Sequence, residues 1–103
     1  MIDRHAIRYF LAVIDHGNFS KAASQCNVSQ PTLSVGIAKL ERALDRKLFQ
    51  RTSKRVELTV SGAHFAVHAR RIEAEFAQAE RSVLNTAAKE TIRLGVLSTI
   101  TKR

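Results

Sequence analysis

Apolar residues Ile7, Phe10, Leu11 and Ile14 recur at i, i+3, i+4 and i+7, one stripe of a helix over Asp3 to His16, and Gly17 is placed to end it. A short second helix is predicted over Lys21 to Cys26, capped by Ser20, with Ala22, Ala23 and Cys26 small enough to let a neighbouring helix approach closely. Asn27 tolerates the left-handed conformation, Val28 can tuck into a core, and Ser29 caps a third helix with Pro31 in its first turn. The turn between the second and third helices is therefore tight. The third helix runs from about Gln30 to Leu44, with Leu33, Ile37, Leu40 and Leu44 on its buried side and Gln30, Thr32, Ser34, Lys39 and Arg42 on its polar side.

Beyond it the period changes. Leu48-Phe49-Gln50-Arg51 and Val56-Glu57-Leu58-Thr59 are short β-prone stretches around Thr52-Ser53-Lys54-Arg55 and predict a hairpin. Thr59 can cap a last helix from Val60 to about Ala88, in which Phe65, Ala69, Ile72, Phe76, Ala79, Val83 and Thr86 alternate spacings of 4 and 3. That is a coiled-coil seam. The preceding domain is large enough to cover only its first turns, so the remainder predicts a second copy of the chain. Thr91 to Leu97 then switches to a strand-like run, which reads as the first strand of a further domain.

Composition narrows the partners. A chain of 103 residues admits one compact domain and one long element, and 45% hydrophobic with 25% charged residues is the make-up of a folded protein. Seventeen Lys and Arg against nine Asp and Glu leave a net charge of +8, which favours nucleic acid ahead of a membrane surface. Residues 39 to 55 hold seven basic residues (Lys39, Arg42, Arg46, Lys47, Arg51, Lys54, Arg55) against Glu41 and Asp45, so most of the excess lies on the third helix and hairpin. The last helix mixes Glu73, Glu75 and Glu80 with Arg70, Arg71 and Arg81, which suits a coiled coil better than a membrane surface.

Other chemistries find no residues to carry them. Cys26 is the single cysteine, so neither an intrachain disulfide nor a thiolate zinc site can form, and a reducing, cytoplasmic setting is expected. No apolar run approaches the ~20 residues that span a bilayer, and the N-terminus lacks the pattern of a secretory signal, so no membrane association or export is expected. His64 and His68 stand at i, i+4 without a suitable third ligand, and no catalytic set or glycine-rich phosphate loop occurs at interpretable spacing. No metal, cofactor or enzymatic activity is expected.

Two short helices joined by a tight turn, the second polar outside and followed by a basic hairpin, form the arrangement that brings a helix N-terminus into the DNA major groove with a wing beside it. The residues resemble the LysR-type transcriptional regulators through Ile7-Arg8-Tyr9-Phe10-Leu11-Ala12-Val13, Asn18-Phe19-Ser20-Lys21-Ala22-Ala23, Val28-Ser29-Gln30-Pro31-Thr32-Leu33-Ser34, Leu40-Glu41, Leu48-Phe49-Gln50-Arg51 and Leu58-Thr59-Val60-Ser61-Gly62. The resemblance covers residues 2 to about 97. It implies a mainly α fold: a winged helix-turn-helix of three helices and a two-stranded wing at 1–59, a dimerisation helix at 60–88, and a hinge at 89–103 with the opening strand, Ile92 to Val96, of an effector-binding domain of periplasmic-binding-protein type. A small-molecule inducer site is accordingly expected only in a longer form.

The resemblance further implies DNA contacts from Gln30, Pro31, Thr32 and Ser34 on the recognition helix and from Arg51, Lys54 and Arg55 on the wing. Their chemistry agrees: Gln30 can bond an adenine edge, Pro31 and Thr32 can touch a thymine methyl, and a wing arginine can enter a narrow A·T-rich minor groove. Lys21 and Ser34 suit phosphates, and Ser29, Val35 and Lys39 complete the candidate set. Val35-Gly36 departs from the family, whose members commonly carry a polar or basic residue there, often arginine. Val35 could pack on a thymine methyl instead, and Gly36, which costs roughly 1 kcal/mol in a helix, marks either a close backbone approach or mere tolerance. The function expected is a homodimer reading an interrupted inverted repeat with A·T-rich flanks; the alternative is a coiled-coil interaction module that pairs with a full-length regulator, with DNA binding incidental.

Overall fold

Asp3 starts the first element. Its carboxylate accepts the N–H of Ala6 at 2.9 Å, so the helix α1 runs over Arg4–His16 and closes on Gly17, whose φ of 65° lets its N–H reach the Val13 carbonyl. The computed structural model describes residues 2–52 and 55–90. The expected strand at Ile92–Val96 and the wing residue Lys54 lie outside the described residues.

α2 spans Phe19–Gln25, starting two residues before its expected first position. Asn18, not Ser20, is its cap: the Asn18 amide oxygen accepts the N–H of Lys21 at 2.8 Å, which leaves Ser20 inside the first turn. The helix ends on Asn27 at φ 59°, with the N–H of Val28 returning to the Ala23 carbonyl and that of Asn27 to Ser24. This paired closure satisfies carbonyls that a helix end leaves open, and asparagine accepts the left-handed backbone at small cost. α3 then spans Gln30–Leu44, capped by Ser29, and closes in the same way on Asp45 at φ 55°.

The wing pairs β1 (Phe49–Arg51) antiparallel with β2 (Val56–Leu58), in the register Phe49 to Leu58, Gln50 to Glu57 and Arg51 to Val56. The long helix α4 spans Val60–Glu90. Thr59 caps it as expected: its hydroxyl accepts the N–H of Gly62 at 3.0 Å while donating to the Lys47 carbonyl at 2.6 Å.

Two compact units result, Met1–Glu73 and Ala74–Arg103. The first therefore extends past the expected boundary at residue 59 and takes in the opening turns of α4. Its core is built on α1, which touches both α2 and α3, and this wide contact buries Val13 more deeply than the expected stripe residue Ile14. Phe10, Leu33, Leu40 and Leu48 are fully buried around it. Phe65 sets its ring edge-on to Phe10 at 5.0 Å, and Ala69 is wholly buried. Both were expected in the dimerisation seam; here they pack inside the chain's own core, because the first turns of α4 are those that cover α1. The ion pairs Arg4–Glu73 at 2.9 Å and Arg70–Asp15 at 2.7 Å tie the same two helices together. In the second unit, the described residues 74–90 continue α4, with Val83 and Leu84 66% and 69% exposed.

Candidate nucleic-acid interface

Only one side of α3 is needed for the core, since Leu33, Ile37 and Leu40 turn inward together. The helix thereby presents Gln30, Pro31, Thr32 and Val35 to solvent, with Ser34 half-buried beside them. Val35 is 53% exposed, an apolar side chain standing among the polar ones of this face. At the N-terminus the Ser29 oxygen accepts the Thr32 N–H at 3.2 Å, and the Ser29 hydroxyl donates to the Thr32 hydroxyl at 2.9 Å. Ser29 is thus committed to the cap, while the Thr32 hydroxyl keeps its own proton to donate.

The two edges of α3 border different grooves. Thr32, Val35 and Lys39 line one with His5 and Tyr9 of α1, a depression of about 460 Å³. Gly36 lies in its floor. A Cβ at this position would stand 2.6 Å from Cδ2 and 2.8 Å from Cε2 of Tyr9, so the glycine marks a close approach between α1 and α3. Ser34 and Ala38 line the other groove with Gln50 and Arg51 of the wing.

The wing's position relative to α3 is set by contacts that sequence reasoning did not single out. Glu41 of α3 accepts the N–H of Leu48 at 2.8 Å and of Phe49 at 3.4 Å, fixing the start of β1. Gly62 allows α4 to pass the carbonyl of Leu48, into which any Cβ would collide. The Thr52 hydroxyl bonds the carbonyl and N–H of Arg55, closing the wing's described ends. Leu40-Glu41 and Leu58-to-Gly62 did carry the family resemblance, yet nothing in their spacing says that the partner is a backbone amide or carbonyl.

Charge on this face is less uniform than the count of basic residues suggests. Arg46 pairs with Asp45 at 3.9 Å, Lys47 with Glu41 at 3.7 Å and Arg55 with Glu57 at 3.3 Å. Among the described residues, Lys21, Lys39, Arg42 and Arg51 have no carboxylate within ion-pair distance. The structure thus brings Lys39 and Arg51 to the two edges of the exposed α3 ridge with their charge uncompensated. Exposed pairs are weak, worth about 0–1 kcal/mol, so Arg55 can exchange Glu57 for another anion. Cys26 is half-buried behind α2, and desolvation there pushes its thiol above the ordinary range, against a smaller opposing pull from Arg8. Among the described residues no cluster of His, Cys, Asp or Glu could hold a metal ion, and no helix is long and apolar enough to cross a membrane.

Comparisons with known proteins bear on this surface. The family described as bacterial regulatory helix-turn-helix protein, lysR family, matches residues 5–63. The SDS degradation transcriptional activation protein of a Pseudomonas species is 42% identical over 72 residues, 70% of this chain and 24% of that protein. The HTH-type transcriptional regulator XapR of Escherichia coli is 37% identical over 99 residues, 94% of this chain and 34% of that protein. The chain thus spans about a quarter to a third of the length of the curated relatives it matches. Among solved structures, the BenM_DBD/benA site 1 DNA complex has a TM-score of 0.79 at 31% identity, covering 84% of this chain and 97% of that one. The CbnR_DBD-DNA complex has a TM-score of 0.73 at 34% identity, covering 84% and 99%. With the family matched over more than half of its residues and the winged fold shared with these neighbours, the chain belongs to the LysR family of bacterial regulatory helix-turn-helix proteins and carries a DNA-binding regulator domain of that family.

Proposed function

We propose that the chain binds double-stranded DNA as a homodimer, with the N-terminal half of α3 in the major groove of each half-site of an interrupted inverted repeat and the wing against an A·T-rich minor groove. The observation that carries this reading is the exposed ridge Gln30, Pro31, Thr32, Val35, flanked by the uncompensated charges of Lys39 and Arg51. Similarity to DNA-bound LysR-family structures supports it.

In this reading Gln30 bonds a base edge, Val35 and Pro31 lie on thymine methyls, and Thr32 donates its free hydroxyl proton. Lys21, Ser34 and Lys39 hold phosphates, with Arg51, Lys54 and Arg55 on the wing side. Ser29 acts through the helix cap. Dimerisation falls to Ile72, Phe76, Ala79 and Val83, the part of the seam beyond the core-bound Phe65 and Ala69. The protein regulates transcription in the cytoplasm, performs no catalysis, needs no cofactor, and answers to a small-molecule inducer only in a longer form.

Selection of duplexes from a random pool by the purified chain, at moderate salt and followed by sequencing, tests the reading. An enriched inverted repeat with A·T-rich flanks is the expected result. If about 8 phosphates are neutralised per dimer, log affinity falls against log salt with a slope of about −7. Salt-sensitive retention without an enriched motif would instead favour an interaction module that pairs through α4 with a longer relative.

A further inference from the structure

The guanidinium carbon of Arg51 lies 4.4 Å from the centroid of the Phe19 ring. This joins the last residue of β1 to the first residue of α2, two elements well separated along the chain. Phe19 is itself fixed. Its ring meets Phe49 edge-on at 6.1 Å, Phe49 meets Phe10 at 5.2 Å, and Phe10 is fully buried in the core. A line of aromatic rings therefore runs from the centre of the domain to a cation on its surface.

We infer that Phe19 is a positioning residue for Arg51: it holds the guanidinium over its ring face so that the N–H edge is presented, already ordered, to a DNA phosphate in the groove between α3 and the wing. The inference rests on the DNA-binding reading and deepens it. Three features support it. Stacking on a π face leaves the in-plane N–H donors of an arginine unused, whereas a carboxylate partner would consume them. Among the described residues no carboxylate takes that role for Arg51. The groove beside it is lined by Ser34 and Gln50, further hydrogen-bond donors for a phosphodiester oxygen; Lys47 lines it too, its charge offset by Glu41 of the same groove at 3.7 Å, which leaves Arg51 as the cation free to meet a phosphate there. An arginine free to sample its rotamers would lose that freedom on binding; one stacked on an anchored ring has already lost much of it.

The test is a double-mutant cycle in the full chain, on a fluorescein-labelled duplex carrying the sequence that the wild-type chain enriches from a random pool. Phe19→Leu keeps an apolar plug but removes the ring face, and Phe19→Tyr keeps both. Phe19→Leu is expected to weaken binding about twofold to fivefold, and Phe19→Tyr to stay within about twofold of wild type. In an Arg51→Ala background Phe19→Leu should cost nothing further. In the free protein the Arg51 side-chain N–H resonance should carry an upfield ring-current shift that Phe19→Leu abolishes and Phe19→Tyr retains. Equal losses in both backgrounds, or no loss from Phe19→Leu, would overturn the inference and leave the DNA reading standing. Failure of the wild-type chain to select any duplex sequence would overturn the reading and the inference together.

Discussion

The Glu41 carboxylate accepts the backbone N–H of Leu48 at 2.8 Å, so a side chain of the recognition helix holds the residue that leads into the wing. Leu48 is buried, and the Glu41 carboxylate is the acceptor its N–H has in the fold. The same carboxylate reaches Phe49 N–H at 3.4 Å. Glu41→Ala should therefore destabilise the domain by about 1–3 kcal/mol, the penalty of stranding a buried donor, and Glu41→Gln, which keeps one acceptor oxygen, by less. Urea unfolding followed by circular dichroism measures both; equal losses would show that the carboxylate acts by charge alone.

The glycines make a sharper pair of expectations. At Gly62 the obstacle to a Cβ is the backbone carbonyl of Leu48, which cannot move without shifting α4 against the lead-in to β1; Leu58 Cδ2 at 2.8 Å is a side-chain methyl that can turn aside. Gly62→Ala should cost about 3 kcal/mol, at the upper end for overpacking. At Gly36 the obstacle is the Tyr9 side chain, half-buried and bordering an open groove. Alanine there gains about 1 kcal/mol of helix propensity over glycine, and that gain should appear in a Tyr9→Ala background and be missing in the wild type. Thermal unfolding of the four chains gives the coupling directly.

These two glycines also mark what could be read from the amino-acid order. Periodicity placed α3 at its observed ends, with Ser29 as its cap, and located the hairpin and the Thr59 cap, because each depends on residues close in sequence. Asn18 and Ser20 are both competent caps two positions apart, and only the path of the chain into α2 chooses between them. The roles of Glu41 and Gly62 depend on a backbone amide or carbonyl brought up by another element, and no side-chain pattern records a backbone group. For Phe65 and Ala69 the heptad spacing was correct, but spacing alone does not say whether a seam closes on the same chain or on a copy. Of the candidate interface, the exposed ridge was legible from the polar stripe; the pairing of Arg46, Lys47 and Arg55 with nearby carboxylates was not.

That pairing separates base reading from charge. Lys39→Ala should weaken binding nearly uniformly across duplex sequences and make the salt slope shallower by about 1 for each phosphate no longer neutralised. Gln30→Ala should leave the slope intact and relax the preference at one base position by about 1–3 kcal/mol. Titrations of both variants at three salt concentrations, on the selected duplex and on a scrambled one, distinguish them. Unchanged selectivity in Gln30→Ala would remove that residue from the reading set.

Burial raises the Cys26 thiol, so at a given pH less of it is thiolate than in a free cysteine. Alkylation by iodoacetamide at pH 8 should accordingly be slower than for a cysteine-containing reference peptide, and should accelerate when urea unfolds the domain. A rate equal to the reference in the folded chain would mean that α2 opens freely.

The last expectation concerns the second unit. Ala79, Val83 and Leu84 are exposed on the part of α4 beyond Glu73, where the described residues, 74–90, form nearly five turns. Leu84 was not in the expected seam; standing next to Val83, it widens the apolar strip that a partner helix could cover. If two copies pair along this strip, Val83→Glu should place a charge in the seam and shift sedimentation from dimer towards monomer at micromolar concentration. The winged domain has its own core ending at Glu73, so its unfolding temperature extrapolated to low protein concentration should not move. Binding to a single half-site should survive in the variant while binding to the full inverted repeat loses its tightness, because only the pairing of two reading helices has been removed. A Val83→Glu chain that still sediments as a dimer would place the homodimer contact elsewhere on the molecule.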